Sequence, residues 1–393
     1  MTIKTNIKKI YSHLCRYLQY FLVAAFLFPK ILYSQTEEIN KLEYLLSKTI
    51  GQEKINTLNK LSELTRSFSF EKANKYAEEA LKLSEQENYK FGKANAYNNL
   101  GFILYRKNDV AKAENFYKSA LNIFKELKSD YEIAKTLNYL GLIYWRKNDF
   151  VKAFKFYRES LTISQKIKQK DVEAEALDYM GLIYWKWSQY SKALEYFYNS
   201  YKLQDQTNNK FGIGIALNNI SFIYNEMNQP DLAIYYANKI LNDDKITENK
   251  YILGRTYNNL GVSYFKKEEL DKAISYQQKS LDIKRESGEK GGMAFSYNDL
   301  GDVYFKLNDF QLAYENYKLA LDLRRELNDK YGIASTLLSI AKVEIKRNKL
   351  EEAEFLLNEA IANATSINNI SLVTQVYKEL SNLYSLKGNN TKA

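Results

Sequence analysis

Apolar residues return along this chain at the i, i+3, i+4, i+7 spacing of a helical face, and the face itself returns every forty residues. Leu137, Leu140, Gly141 and Tyr144, in L-N-Y-L-G-L-I-Y-W-R (137–146), show the pattern at its clearest. At about 100° per residue these positions share one stripe, so they predict a helix buried along it, with Gly141 admitting a partner helix closely. Tyr97–Arg106, Leu177–Lys186, Leu217–Glu226, Tyr257–Lys266 and Tyr297–Lys306 repeat the stripe, and Leu337–Lys346 and Tyr377–Leu386 are weaker copies. A second stripe follows the first, as Ala113, Tyr117, Ala120 and Leu121 follow Tyr97–Arg106. Two helices per period, many times over, predict an all-α solenoid of stacked antiparallel helix pairs.

Turn chemistry agrees. Lys107-Asn108-Asp109, Lys147-Asn148-Asp149 and Leu307-Asn308-Asp309 stand between paired helices. There Asn and Asp stop one helix and cap the next through side-chain oxygens. Between repeats stand N-Y-K-F-G (88–92), N-N-K-F-G (208–212) and N-D-K-Y-G (328–332), whose glycine is expected to supply a left-handed helix end. Pro230 suits the first turn of a second helix. The resulting division is a leading cap helix over 35–52, eight repeats of forty residues over 53–372, and the first helix of a ninth, incomplete repeat over 373–393.

Leu137-x2-Leu140-Gly141-x2-Tyr144, followed by Ala153-x3-Tyr157 and Ser160, resembles the tetratricopeptide repeat, and the likeness spans roughly 53–388. A period of forty alone also suits HEAT or armadillo repeats; the Gly141-to-Ala153 spacing of twelve decides. The usual unit is 34 residues with a proline near its end. Lys125, Gln165, Asp205, Lys245, Arg285 and Arg325 occupy that position here, so the second helices are expected to run on by under two turns. The resemblance implies a right-handed superhelical solenoid whose concave groove binds a protein or an extended peptide. The Asn98-Asn99-Leu100-Gly101 and Asn258-Asn259-Leu260-Gly261 units are similar to those of kinesin-light-chain arrays, which bind peptides in that groove. The array also resembles the extracytoplasmic segments of bacterial sensor histidine kinases.

Composition changes the picture at the N-terminus. Residues 1–36 carry Lys4, Lys8, Lys9, Arg16 and Lys30 and no acid, around the apolar run Y-L-Q-Y-F-L-V-A-A-F-L-F (17–28). That run is short of the ~20 residues a membrane span needs and suits the core of a signal peptide over 1–34, or an N-terminal anchor if uncleaved. The expectation is therefore an exported, periplasmic or extracytoplasmic module. The alternative is the sensory part of a longer membrane signalling protein, attached to the membrane by that anchor or by a span beyond Ala393. The leading cations make up half of the net charge of +10, and what remains is too dilute for nucleic acid. His13 and Cys15 lie in the same leader, and the rest of the chain has neither residue type. No cofactor or metal site is expected, and enzyme chemistry through imidazole or thiol is excluded downstream of the leader.

Three rows beside the buried stripe are the candidate chemistry. Asn98, Asn138, Asn218, Asn258 and Asn298 form an amide row, with Asp178 in the same column. Asparagine is a poor mid-helix residue, so its recurrence has a cause. Either it bonds between repeats and fixes their register, or it grips a peptide backbone with its donor and acceptor. Tyr105, Trp145, Trp185, Phe265 and Phe305 form an aromatic row, and Arg106, Arg146, Lys186, Lys266 and Lys306 a basic one. Cations are also favoured at a helix C-terminus by the dipole alone. If all three rows face a groove, the ligand is extended, acidic or carboxylate-bearing, and partly apolar.

Overall fold

The computed structural model describes residues 30–66, 69–367 and 369–388. They form two compact units, one ending at Ile183 and the other beginning at Tyr184. A leading helix α1 (Lys30–Leu46) is followed by α2 (Gly51–Thr65) with α3 (Phe70–Gln86), α4 (Lys90–Arg106) with α5 (Val110–Glu126), and α6 (Asp130–Arg146) with α7 (Phe150–Ile167). The helix α8 (Lys170–Lys186) spans the division. Then come α9 (Tyr190–Gln206), α10 (Lys210–Glu226) with α11 (Pro230–Leu241) and the short α12 (Asp244–Thr247), and α13 (Lys250–Lys266) with α14 (Leu270–Glu286). The array continues with α15 (Lys290–Lys306) and α16 (Phe310–Glu326), α17 (Lys330–Lys346) and α18 (Leu350–Ser366), and α19 (Ile370–Leu386). Each unit is a right-handed solenoid of paired antiparallel helices.

First and second helices bury different amounts of themselves, and the cause is position. A second helix such as α7 buries one stripe, Ala153, Tyr157, Ser160 and Ser164. The first helix α6 packs on α5, on its partner α7 and on the preceding first helix α4. It therefore buries an almost unbroken run from Thr136 to Gly141, with Ile143. Tyr144, expected in the core stripe, is only half-buried; it stacks on Phe156 at 5.3 Å and donates its hydroxyl to Glu114. The helix pairs close through glycine. A Cβ on Gly141 would stand 2.2 Å from the fully buried Tyr157 ring, and Tyr117 and Tyr317 fill the same space against Gly101 and Gly301. Each buried ring or leucine contributes about 1.5–3 kcal/mol by leaving water.

At the junctions 88–92, 208–212 and 328–332 asparagine makes the left-handed turn, which Gly51, Gly288 and Gly388 take elsewhere. Asn88, Asn208 and Asn328 sit at φ 54°, 52° and 52°, as Asn108, Asn148 and Asn308 do within the pairs. Their short polar side chains tolerate that region. Gly92, Gly212 and Gly332, expected there, lie instead inside the next helix, where space is the constraint: a Cβ on Gly212 would meet Gln204 at 2.2 Å. Asp109, Asp149 and Asp309 cap α5, α7 and α16 by accepting from Lys112, Lys152 and Leu312 N–H. The second helix at 230 departs from its siblings. It stops at Leu241 instead of running on through Lys245, because Asp243 accepts from Lys245 and Ile246 N–H and starts α12. Ile246 then packs with Ile213, Leu217, Ile240 and Ile252.

The glycine contacts generate a paired test. Gly141→Ala should lower stability by about 1–3 kcal/mol, the cost of overpacking a closed core. Gly291→Ala, whose Cβ meets nothing nearer than Leu327 at 3.9 Å, should raise it by about 0.5 kcal/mol. Urea midpoints of the two variants check both signs.

Candidate functional site

The amide row lies between repeats. Asn138 is fully buried and donates to Glu175 Oε2 at 3.0 Å. Asn98 donates to Thr136 Oγ1 at 2.9 Å, and Asn218 to the Ile252 carbonyl at 3.2 Å. Asn258 donates to Asp299 Oδ2 at 2.6 Å, and Asn298 accepts from Thr336 Oγ1 at 3.3 Å. All five bonds reach the following repeat, and Asp178 in the same column is buried too. Four of the side-chain nitrogens donate, and one oxygen accepts, between repeats. At Asn98 and Asn218 a ligand taking the amide nitrogen would have to break a buried bond, at the desolvation cost of the amide left behind; the bonds of Asn138, Asn258 and Asn298 are part-buried.

The aromatic and basic rows meet each other. The Arg146 guanidinium lies 4.0 Å over the Tyr105 ring and donates to the Tyr105 carbonyl at 2.6 Å. Lys306 lies 5.5 Å over Phe265 and pairs with Glu268 at 2.7 Å, and Arg106 lies 5.5 Å over Phe70. In each case a cation covers a ring of the preceding repeat, an interaction of about 0.5–1 kcal/mol at exposed sites. Lys186 lies over Trp185 at 4.3 Å and Tyr331 at 5.9 Å, and burial lowers its pKa while Glu226 raises it. Trp185 donates to Glu226 Oε2, Trp145 meets the edge of Phe150, and Phe305 that of Phe310. Phe265 is half-buried and Lys266 exposed.

A cavity of about 200 Å³ opens beside these rows, in the first unit, where α2, α4 and α6 lie side by side. Asn56, Asn59, Asn95, Asn98 and Asn99 supply amides to its wall. Asn59 donates to the Gly92 carbonyl, Asn99 to the Asn59 carbonyl, and Asn95 to the Phe91 carbonyl one turn back. Asn98 Oδ1 is buried without a partner. At one end Glu63 pairs with Lys135 at 2.6 Å, with Lys60 at 3.5 Å and with Arg66 at 3.9 Å. Arg66 stacks 4.1 Å over Phe102 and donates to the Tyr139 hydroxyl at 3.1 Å. Burial pushes the Glu63 carboxyl up, but Lys135 and then Arg66 and Lys60 outweigh it and hold it at about 2. Burial also raises Glu132, which lines the same wall; Lys135 opposes that rise and Glu63 adds to it.

Of the candidate residues, only Asn98 lies on this cavity. Glu63, Arg66, Asn99, Glu132, Lys135 and Tyr139 were not anticipated, and the partners Glu63 and Lys135 stand 72 residues apart, two repeats away. The signal available was the polar character of 59, 63, 95, 99 and 135, one helical turn around from the row singled out.

The tetratricopeptide-repeat family model matches residues 53–126, 132–206, 212–286, 252–326 and 292–366. The chain belongs to that family. No curated protein sequence matches it. Among solved structures it is similar to a Rap protein complexed with competence and sporulation factor, at 15% identity and TM-score 0.58, covering 87% of this chain and 99% of that one. It is also similar to the apo form of the quorum sensor NprR from B. thuringiensis, at 18% identity and TM-score 0.57, covering 81% and 94%. A third likeness is to a signal-transduction ATPase with a tetratricopeptide-repeat sensor from Pyrococcus horikoshii, at 16% identity and TM-score 0.55, covering 84% and 53%. Among the described residues no group of three or more His, Cys, Asp or Glu side chains is placed to hold a metal ion.

These relatives correct the expectation of export. Regulators of the Rap, NprR and sensor-ATPase type, which share this fold, are cytoplasmic; the apolar run 17–28 itself lies outside the described residues, among which no helix is long and apolar enough to cross a membrane. The periplasmic placing, the signal-peptide reading and the membrane-sensor alternative are withdrawn; of the segment 1–34, only the backbone from Lys30, which opens α1, lies within the described residues. The likenesses to kinesin light chain and to histidine-kinase sensors also find no support.

The Glu63 cluster makes a pH prediction. A carboxyl held at about 2 when folded, against about 4.3 unfolded, stabilises the fold fully above the unfolded value. That contribution is lost as pH falls from roughly 4.3 toward 2. Glu63→Gln should cost about 1–3 kcal/mol at pH 7, by leaving Lys135 without its anion, and should flatten that part of the acid-unfolding profile. Thermal melts from pH 7 to pH 2 check it.

Proposed function

We propose that the protein is a non-catalytic regulator or scaffold that binds an extended polypeptide segment along the face formed by its first helices. The observation that carries the reading is the cavity where α2, α4 and α6 meet, lined by amides and charged groups instead of a closed apolar seam. At about 200 Å³ it is smaller than the ~300–1,000 Å³ of a small-molecule site, so it suits one residue of a longer ligand. Amides there suit a backbone, which offers a donor and an acceptor at each residue. The half-buried rings of Tyr105 and Trp145 supply apolar wall beyond it. The structural relative complexed with competence and sporulation factor supports the reading by analogy of fold.

The acidic ligand expected from the basic row loses its main support, because Arg146 and Lys306 are engaged by neighbouring repeats. Binding duty passes from the register asparagines to Asn56 and Asn95. The first is exposed, and the second donates only within its own helix.

A random dodecapeptide library passed over the full chain tests this. Asn56→Ala with Asn95→Ala should weaken the best recovered peptide about tenfold, the worth of one to two hydrogen bonds, with the thermal midpoint unchanged. Unchanged affinity, or no recovered peptide, would overturn the reading.

A further inference from the structure

Resting on that reading, we infer that the cavity of the first unit is a seat for a basic residue of the bound segment, whose guanidinium or ammonium group docks on Glu132 and on Asn98 Oδ1. The amide nitrogens of Asn59, Asn98 and Asn99 are engaged by Gly92, Thr136 and Asn59. Arg66 is held by Phe102 and Tyr139, and Lys135 by Glu63. Glu63 in turn is surrounded by three cations. Two acceptors on this wall stand out. Asn98 Oδ1 is buried with no partner on a residue only 5% exposed, and the half-buried Glu132 carboxylate has Lys135 as its opposing charge and Glu63 as a like one.

Buried acceptors without donors carry a desolvation cost that a donor-rich ligand relieves. Guanidinium brings five N–H groups in a fixed fork and ammonium three, and neither brings an acceptor. Electrostatics points the same way. Lys135 and Arg66 are raised above their ordinary values, so they already sit in a favourable field, whereas burial raises Glu132 by more than Lys135 lowers it. Lys60, Arg66 and Lys135 on the same wall crowd Glu63, and an added cation gives Glu132 a partner of its own against their repulsion.

The net charge of +10 gives the test its leverage, since nonspecific attraction would enrich acidic peptides. The probe is a random dodecapeptide library, sequenced before and after capture by the full chain. Captured peptides should be enriched in Arg or Lys at one position. In a recovered peptide, replacing that residue by citrulline or norleucine should weaken binding to the native chain at least about tenfold. The same replacement should change binding to Glu132→Gln by less than about twofold, while Glu132→Asp keeps the preference for the basic residue. Peptides captured without basic enrichment, or an equal loss in the Glu132→Gln variant, would overturn the seat and leave groove binding standing. Capture of no peptide would overturn both.

Discussion

A helix packed on three sides has nowhere to put a polar side chain except into a bond, and that constraint shapes this array. A first helix such as α6 lies against its partner α7, against the second helix α5 before it and against the preceding first helix α4, so its middle turns are dry. Asn98, Asn138 and Asn218 stand in that dry region. Their amides must be paired across the repeat boundary, since an orphaned amide costs about 1–3 kcal/mol. A slip of one residue between repeats would strand such an amide, so the row specifies register where leucine alone would tolerate sliding.

The groove is what this arrangement leaves over. Because the amides and cations nearest the seam bond to neighbouring repeats, the exposed wall is made by side chains one turn further round: Asn56, Asn95, Glu132 and the Glu63–Lys135–Arg66 cluster. That cluster joins α2 to α6 across the intervening α4 and so fixes the width of the cavity as well as its charge. In the second unit the corresponding surface is differently polar. There Asp299 accepts from Asn258 and Gln277, and Asp302 from Tyr317, and burial raises both carboxyls, Asp302 to about 6. Those carboxylates already have donors, whereas Asn98 Oδ1 on the cavity of the first unit has none.

Much of the architecture was legible because it depends on local spacing. The stripe of Leu137, Leu140 and Gly141, the twelve-residue step to Ala153, and the Asn-Asp turns each report a contact within one repeat. Glycine at 92, 212 and 332 was misjudged because a C-terminal cap and a close helix approach use the same residue, and only φ tells them apart. The break at 242–244 was missed because it turns on Asp243 accepting two amide hydrogens, against a pattern that otherwise continues. The site was least legible. Two readings of the asparagine row differ only in whether the neighbouring helix covers it, and Glu63 with Lys135 is a pairing of residues whose separation matches no period of a single helix. The apolar run near the N-terminus was persuasive by composition, yet the regulators that share this array overturn its reading as an export signal.

The central claim is that the asparagine row bonds repeat to repeat. Its most direct test is a double-mutant cycle on stability between Asn98 and Thr136, whose side chains meet at 2.9 Å. Asn98→Ala, Thr136→Val and the pair together, compared by urea denaturation, should show a coupling of about 0.5–1.5 kcal/mol. Additivity within ~0.3 kcal/mol would contradict the claim.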